Sequence, residues 1–127
     1  MGYLFDTGAL IDIYRGRSRI QSYFKALLEA RAIGFISVIS EAELWQGVRR
    51  DELPRHEALL SQFNSLPITS ESARRAGVWM QLYKIRGLGW MDALLVATAT
   101  NNRLIVLTRD QRLASLLDGV TAFVVYD

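Results

Sequence analysis

The sequence predicts an α/β fold built on a central, mostly parallel sheet of four to five strands flanked by helices. Three observations carry the prediction. Short apolar runs alternate with segments of helical periodicity along the chain, the pattern of repeated strand–helix units. The inner runs are nearly continuously apolar instead of alternating with polar residues, as strands covered on both faces are. Acidic residues also stand at the junctions between segments. Asp6 closes Tyr3-Leu4-Phe5, and Glu43 lies in the helix after Gly34-Phe35-Ile36-Ser37-Val38. Asp92 opens Ala93-Leu94-Leu95-Val96-Ala97, and Asp110 follows Leu104-Ile105-Val106-Leu107-Thr108. In parallel α/β sheets, sites form outside the carboxyl ends of the strands, so this fold would gather the four carboxylates at one rim.

The elements follow in order. Residues 2–6 read as a short strand. Residues 7–14 read as a helix ended by Arg15-Gly16. Ile20, Tyr23, Phe24, Leu27 and Leu28 recur at helical spacing and predict a second helix to about Arg31. Gly34 punctuates, and residues 35–38 form the second strand. Ser40 starts a helix carrying Ala42, Trp45 and Val48. Pro54 opens the next, with Leu59, Leu60, Phe63 and Leu66 inward. These two helices make an arm around residues 40–66. Leu66-Pro67-Ile68 is a short extended piece, the marginal fifth strand. Ser70 caps a long helix over residues 71–86, stopped near Gly87 and Gly89. Residues 92–101 form a nearly all-apolar helix, hence a buried one. A strand over 103–108, a short helix over 110–117 with Gly119 as its stop, and a strand over 120–126 complete the chain.

Composition bounds what this chain does. At 127 residues it reads as a single domain, 1–127, large enough for a core. Apolar residues make up 50% and charged residues 22%, the balance of a globular protein. With no cysteine there is no disulfide, zinc thiolate or thiol nucleophile, which suits a reducing cytoplasm. Asp6 comes too early for the apolar core of a signal peptide. No apolar run approaches the ~20 residues of a membrane span. Phosphate-loop and dinucleotide glycine motifs are absent, as is a Gly-x-Ser-x-Gly elbow. The net charge of +2 understates the basic surface, because four of the 13 acids belong to the predicted cluster. Thirteen of the 15 basic residues are arginine, which forks onto phosphate and stacks on bases. A nucleic-acid partner fits that excess.

Carboxylates at close quarters repel, so they hold a proton or a cation. Hard oxygen donors suit Mg²⁺ or Mn²⁺, which points to metal-assisted phosphoester chemistry. Each acid also has a local structural reading. Asp6 and Asp92 stand where N-caps stand. Ser40-Glu41-Ala42-Glu43 and Thr108-Arg109-Asp110-Gln111 match capping boxes, with Asp110 favoured by the helix dipole. Caps do not require each helix to follow a sheet strand, however, and the joint pattern favours a metal site. Asp12 and Glu41 lie close in sequence and read as groups supporting the cluster. His56, the single histidine, follows Pro54 in a polar stretch and reads as a surface residue. Trp45 and Trp79 read as core or interface anchors, while Trp90, beside Asp92, reads as lining the cleft.

Four segments together resemble the PIN-domain ribonucleases, and among them the VapC-type toxins of toxin–antitoxin pairs. They are Tyr3-Leu4-Phe5-Asp6-Thr7-Gly8-Ala9-Leu10-Ile11-Asp12, then Ile36-Ser37-Val38-Ile39-Ser40-Glu41-Ala42-Glu43-Leu44-Trp45-Gln46-Gly47, then Asp92-Ala93-Leu94-Leu95-Val96-Ala97-Thr98-Ala99, and Leu107-Thr108-Arg109-Asp110. Each alone is a weak signal; four in order across the chain are a strong one. The resemblance implies a PIN-like three-layer fold and an endoribonuclease dependent on Mg²⁺ or Mn²⁺. By position, Asp6, Glu43, Asp92 and Asp110 match the four acids, with Asp6, Asp92 and Asp110 as metal ligands. Glu43 either binds metal or orients the attacking water. Thr7 and Thr108 match supporting polar positions. Arg15, Arg17, Arg109 and Arg112 flank these loops and would grip RNA phosphates. The segment before Asp92, Gly87-Leu88-Gly89-Trp90-Met91, is bulkier than in many members. The resemblance further implies a homodimer and a cognate VapB-type antitoxin, whose tail would enter a groove among the first two helices and the arm.

Two rival enzymes fail on the residues. Leu4-Phe5-Asp6-Thr7-Gly8-Ala9 is similar to the active-site strip of retroviral-type aspartic proteases, where two aspartates share one proton. Those are all-β proteins, and this chain has at least four strongly helical stretches. A receiver domain needs a lysine near its last strands, but Lys25 and Lys84 lie in predicted helices. A non-catalytic PIN-like module that binds RNA or protein is the remaining alternative, and the presence of all four acids argues against it.

Overall fold

The computed structural model describes residues 2–127. Its five strands are β1 (Gly2–Phe5), β2 (Ile33–Ser37), β3 (Asn64–Leu66), β4 (Ile105–Thr108) and β5 (Phe123–Val125). They pair in parallel throughout, in the order β3-β2-β1-β4-β5. The helices are α1 (Thr7–Tyr14), α2 (Ser18–Leu28), α3 (Val38–Gly47), α4 (Leu53–Leu60), α5 (Ser70–Tyr83), α6 (Trp90–Asn101) and α7 (Gln111–Leu116). From β1 the chain builds outward to β2 and β3, then crosses back to β4 and β5. The strand order therefore reverses between β1 and β4, where a crevice opens at the carboxyl ends of the strands.

Successive strand residues point to opposite faces, and here both faces are dry. Leu4 and Val106 face one core, closed by Trp79 and Met80 of α5, Val96 of α6 and Leu113 of α7. Phe5, Ile36 and Leu107 face the other, closed by Leu10 of α1, Ile20 of α2, Leu59 of α4, and Phe63. The apolar runs of the sequence are thus strands sandwiched between two helical layers. α6 is as buried as its composition predicts, with Ala93, Leu95, Val96, Ala97 and Ala99 at 4% exposure or less. Among the described residues, no helix is long and apolar enough to cross a membrane.

Several boundaries differ from expectation, each for a physical reason. β2 starts at Ile33 and runs through Gly34. Gly34 is a packing requirement and not a break, since a Cβ there would lie 2.6 Å from Leu27 Cδ1 and 2.9 Å from Phe63 Cδ1. Gly34→Ala is expected to cost about 1–3 kcal/mol through overpacking, read as a lower urea midpoint. An unchanged midpoint would show that Leu27 and Phe63 swing aside. Val38 belongs to α3 because Ser37, not Ser40, is the N-cap, accepting from the Ser40 amide at 3.2 Å. Thr69, not Ser70, caps α5 by accepting from the Ser72 amide. α2 ends three residues early, followed by Ala30 at φ +57°. The marginal extended piece is a real strand shifted to 64–66 and paired with β2, so Leu66 sits in the sheet and not in the preceding helix. β4 begins after Arg103, which turns at φ +56°, and β5 is confined to 123–125.

Candidate active site

The end of β1 and the end of β4 are joined by side chains at the strand-order reversal. Asp6, the first residue past β1, caps α1 by accepting from the Ala9 amide at 2.8 Å. Its second carboxylate oxygen accepts the hydroxyl proton of Thr108, the fully buried last residue of β4. The same Thr108 oxygen accepts from the Asp110 amide at 2.9 Å. Asp110 then caps α7, accepting from the Leu113 amide at 3.0 Å. Asp110 is therefore the cap itself, not a first-turn residue merely favoured by the dipole.

Glu43 and Asp92 do not perform the capping roles their local sequence suggested. Glu43 does not reach back to the Ser40 amide. Instead the Thr7 hydroxyl donates to its Oε1 at 2.7 Å. A threonine has a single hydroxyl proton, so the 2.9 Å contact between Thr7 and Ser40 has Ser40 donating. Asp92 lies in the first turn of α6, whose N-cap is Gly89, and it makes no capping bond. Both carboxylates are exposed.

The four acids act on one another electrostatically. Burial pushes the Asp6 carboxyl up, against the hydrogen bonds from Thr108 and Ala9, and the Asp92 and Asp110 charges push it further. Asp92 is also raised, by loss of solvent and then by Asp110 and Glu43, with Arg112 partly offsetting. Among the described residues, no salt bridge reaches any of the four. Nor do three acidic or histidine side chains converge into a preformed metal cage. A surplus of hard, mutually repelling oxygens fits an ion such as Mg²⁺, which keeps several waters and takes only one or two carboxylates.

This electrostatics has a stability consequence. A carboxyl raised in the fold binds its proton more tightly folded than unfolded. Its contribution is favourable below the ordinary carboxylate range and is lost as pH rises through the folded value. Asp92 has no hydrogen-bonded structural role, so Asp92→Asn should raise the melting temperature of the cation-free protein at neutral pH by a few degrees. It should also flatten the decline between acid and neutral pH. Thermal melts in EDTA at both pH values check this, and a lower melting temperature at neutral pH would give Asp92 a structural role instead.

The surrounding residues redistribute several expectations. Asp12 does not support the cluster; it is 1% exposed and anchors its own network. It accepts the Tyr126 hydroxyl at 2.6 Å and pairs with Arg17 and Arg109, each at 3.4 Å. Burial and Asp12 together push the Tyr126 hydroxyl far up, which keeps it a donor. Arg17 and Arg109 remain half-exposed. Arg112 packs beneath Gly87, whose φ of +101° and lack of a Cβ allow the approach. Glu41 accepts from Ser65 of β3 and is not part of the cluster. Trp90 borders a separate depression with Arg74, Val78 and Lys84, on the α5 side, and not the acidic crevice.

His56 is the largest correction, at 1% exposure. It lies inward on α4, with the Trp45 indole edge-on at 4.3 Å and the Tyr14 ring at 5.9 Å. The spacing of His56 and Leu59 was the available signal, since both lie on one buried face of α4, with buried Phe63 just past its end. His56 lines a groove of about 400 Å³ between α1, α3 and α4, which reaches Arg15 and Glu43.

Comparison with known proteins agrees with the geometry. The PIN domain family model matches residues 3–117. Ribonuclease VapC10 of Mycobacterium tuberculosis is 38% identical over 100 residues, 76% of this chain and 73% of that protein. A toxin–antitoxin complex from Klebsiella pneumoniae contains a chain 32% identical, with a TM-score of 0.77, covering 96% of this chain and 95% of that one. VapBC2 from Rickettsia felis, bound to a DNA fragment from its promoter, aligns over the full length of both chains with a TM-score of 0.81. At 18% identity it speaks for the fold alone.

Proposed function

The chain belongs to the PIN domain family, and from that premise we propose that it is a metal-dependent endoribonuclease, the toxin of a type II toxin–antitoxin pair. The observation that carries the reading is the Asp6–Thr108–Asp110 connection across the β1/β4 reversal, with Glu43 and Asp92 inside the same electrostatic field. Asp6 and Asp92 would hold the first divalent cation, Mg²⁺ or Mn²⁺, and Asp110 would complete a second, weaker position. Bound there, a cation supplies charge stabilisation at the phosphoryl group and a more acidic water.

The protein's own residues do the rest. Thr108 fixes the orientation of Asp6, and Thr7 occupies one oxygen of Glu43. The free Glu43 oxygen is then available to orient the attacking water and take its proton. Water oxygen bonds to phosphorus, one P–O ester bond breaks, and the released alkoxide takes up a proton. Arg15, which lines the groove with Glu43, and Arg112, whose charge acts on Asp92, would meet neighbouring phosphates. Arg17 and Arg109 do so from the Asp12 network, as charge-assisted partners.

We assign the chain an antitoxin partner, a second copy of itself and a place in the cytoplasm. The relatives are a VapC ribonuclease and a chain of a toxin–antitoxin complex. An apolar strip of Val78, Leu82, Ile85, Trp90 and Met91 is exposed along α5, the turn after it and the start of α6, and suits a second copy. The test is RNA cleavage by purified chain freed of any co-purified partner, with Mg²⁺, Mn²⁺ or EDTA. Discrete cuts in either metal and none in EDTA are expected. No cleavage together with no cation binding by calorimetry would leave a non-catalytic module.

A further inference from the structure

We propose that Arg17 and Arg109, gathered by the buried Asp12, form one clamp for a single backbone phosphate of the RNA, beside the scissile one. This rests on the endoribonuclease reading and specifies how its substrate is gripped. The two arginines come from distant parts of the chain and meet on one atom. Arg17 Nε and Arg109 Nη1 each lie 3.4 Å from Asp12 Oδ1. Local backbone geometry delivers both. Gly16 turns at φ +67° just past α1. Its amide donates to the Ile13 carbonyl, and the Arg17 amide donates back to the Asp12 carbonyl at 2.9 Å, the paired bonds of a glycine-closed helix end. The chain thus folds Arg17 back over the turn that carries Asp12. Arg109 stands between Thr108 and Asp110, whose hydrogen bond fixes the chain at the end of β4.

The charges and donors left over describe the ligand. Two guanidiniums face one carboxylate, so the site keeps a surplus positive charge. Asp12 Oδ2 accepts from the Tyr126 hydroxyl, and Asp12 Oδ1 is buried without a hydrogen bond. The arginines are therefore held there by charge, and their N–H forks are not spent on Asp12. Both side chains are half-exposed, so a ligand can reach them. Two neighbouring guanidiniums repel in the empty site and gain a common partner when an anion sits between them. Their planar forks match phosphate oxygens, which accept two parallel bonds.

The position selects which phosphate. Asp12 stands six residues past Asp6 on α1, about 9 Å along the helix axis. The charges that act on Asp6 and Asp92 come from the other acids and from Arg112. The clamp is thus beside the acidic rim and not within it. RNA crossing the rim would lay a flanking phosphate between the two arginines, with the scissile one left to the carboxylates and their cation. Asp12 is then a positioning residue, acting on the substrate only through Arg17 and Arg109.

Short single-stranded RNA oligonucleotides would be titrated in EDTA by fluorescence anisotropy, with each linkage in turn made an uncharged methylphosphonate. Neutralising one particular linkage is expected to weaken binding about tenfold, the low end for hydrogen bonds to a charged group. Arg17→Gln and Arg109→Gln should each weaken the intact oligonucleotide and leave the one neutralised at that linkage unchanged. The double variant should flatten the slope of log affinity against log salt by about 0.7, one single-strand phosphate, and not by about 1.4. Asp12→Asn keeps both arginines and removes a negative charge, yet it too should weaken the intact oligonucleotide, because the forks lose their common anchor. Tighter binding by Asp12→Asn would overturn the clamp, and the arginine variants keep the test valid if that variant unfolds. A different silent linkage for each arginine, or a slope change of about 1.4, would overturn it as well. So would RNA binding indifferent to both arginines, which would leave the pair to an acidic segment of a protein partner. Cleavage in Mg²⁺ separates the two readings. Metal-dependent cuts with no linkage singled out in binding would remove the clamp and keep the nuclease. Linkage-dependent binding without cleavage would keep the clamp and remove the nuclease.

Discussion

Asp6→Asn is expected to reduce RNA cleavage by on the order of 10³-fold or more, about 4 kcal/mol of transition-state stabilisation, with the fold preserved. An asparagine oxygen still caps α1 at the Ala9 amide, so the helix survives. The change removes one negative charge from the rim. It also replaces the oxygen that accepts from Thr108 with an NH₂ group. Thr108 already accepts from the Asp110 amide, so its hydroxyl proton loses its partner. Cation affinity by calorimetry should fall together with the rate, while far-UV circular dichroism stays unchanged. Thr108→Val, which leaves every carboxylate in place, should lose a smaller factor of roughly 10–100, the scale of groups that orient metal ligands. Wild-type cleavage by folded Asp6→Asn would place the chemistry elsewhere.

Asp12→Ala should destabilise the protein by about 3 kcal/mol, the low end for removing one partner of a buried ion pair. The low end applies because Arg17 and Arg109 are half-exposed and can recover water. The Tyr126 hydroxyl, donating to Asp12 at 2.6 Å, cannot recover it as readily, because Tyr126 is only 4% exposed. Tyr126→Phe alone should cost about 1.5–3 kcal/mol, the range for a hydrogen bond to a charged group. Chemical denaturation of both single variants and the double variant checks the pair. The double variant should be less destabilised than the sum, because the same bond is lost in each. Strict additivity would mean that Asp12 stabilises chiefly through the arginines. The network joins α1, near the start of the chain, to the segment after β5 at its end.

Much of the fold is readable from local pattern. Apolar runs bounded by turn residues become strands because burial on both faces demands them, and α6 is central because it has no polar face to turn outward. Asp6 and Asp110 are legible for the same reason, since each stands just past its own strand, whereas Glu43 lies within α3 and Asp92 within α6, which follows α5 and not a strand. Local pattern misleads where two segments compete for the same role. Ser40 has the sequence of an N-cap, but Ser37 lies one turn earlier and takes that position, which frees Ser40 to donate to Thr7. The four-residue reach of a capping rule cannot register that choice.

His56 and Asp12 show the other limit. His56 lies in a stretch that looks solvated and Asp12 reads as support for the acidic cluster, yet both are 1% exposed. Asp12 is buried because Arg17, Arg109 and Tyr126, up to 114 residues away, converge on it. His56 is buried because α4 packs its inner face against α1 and α3, bringing Tyr14 and Trp45 around the ring. By itself the sequence determined the strand–helix alternation, the resemblance to PIN-domain ribonucleases and the four candidate acids, because each depends on residues close together in the chain. Only the tertiary structure decided the strand order, the bond from Thr108 to Asp6 and the groove beneath Glu43. Those depend on contacts between segments that packing, and not local propensity, brings together.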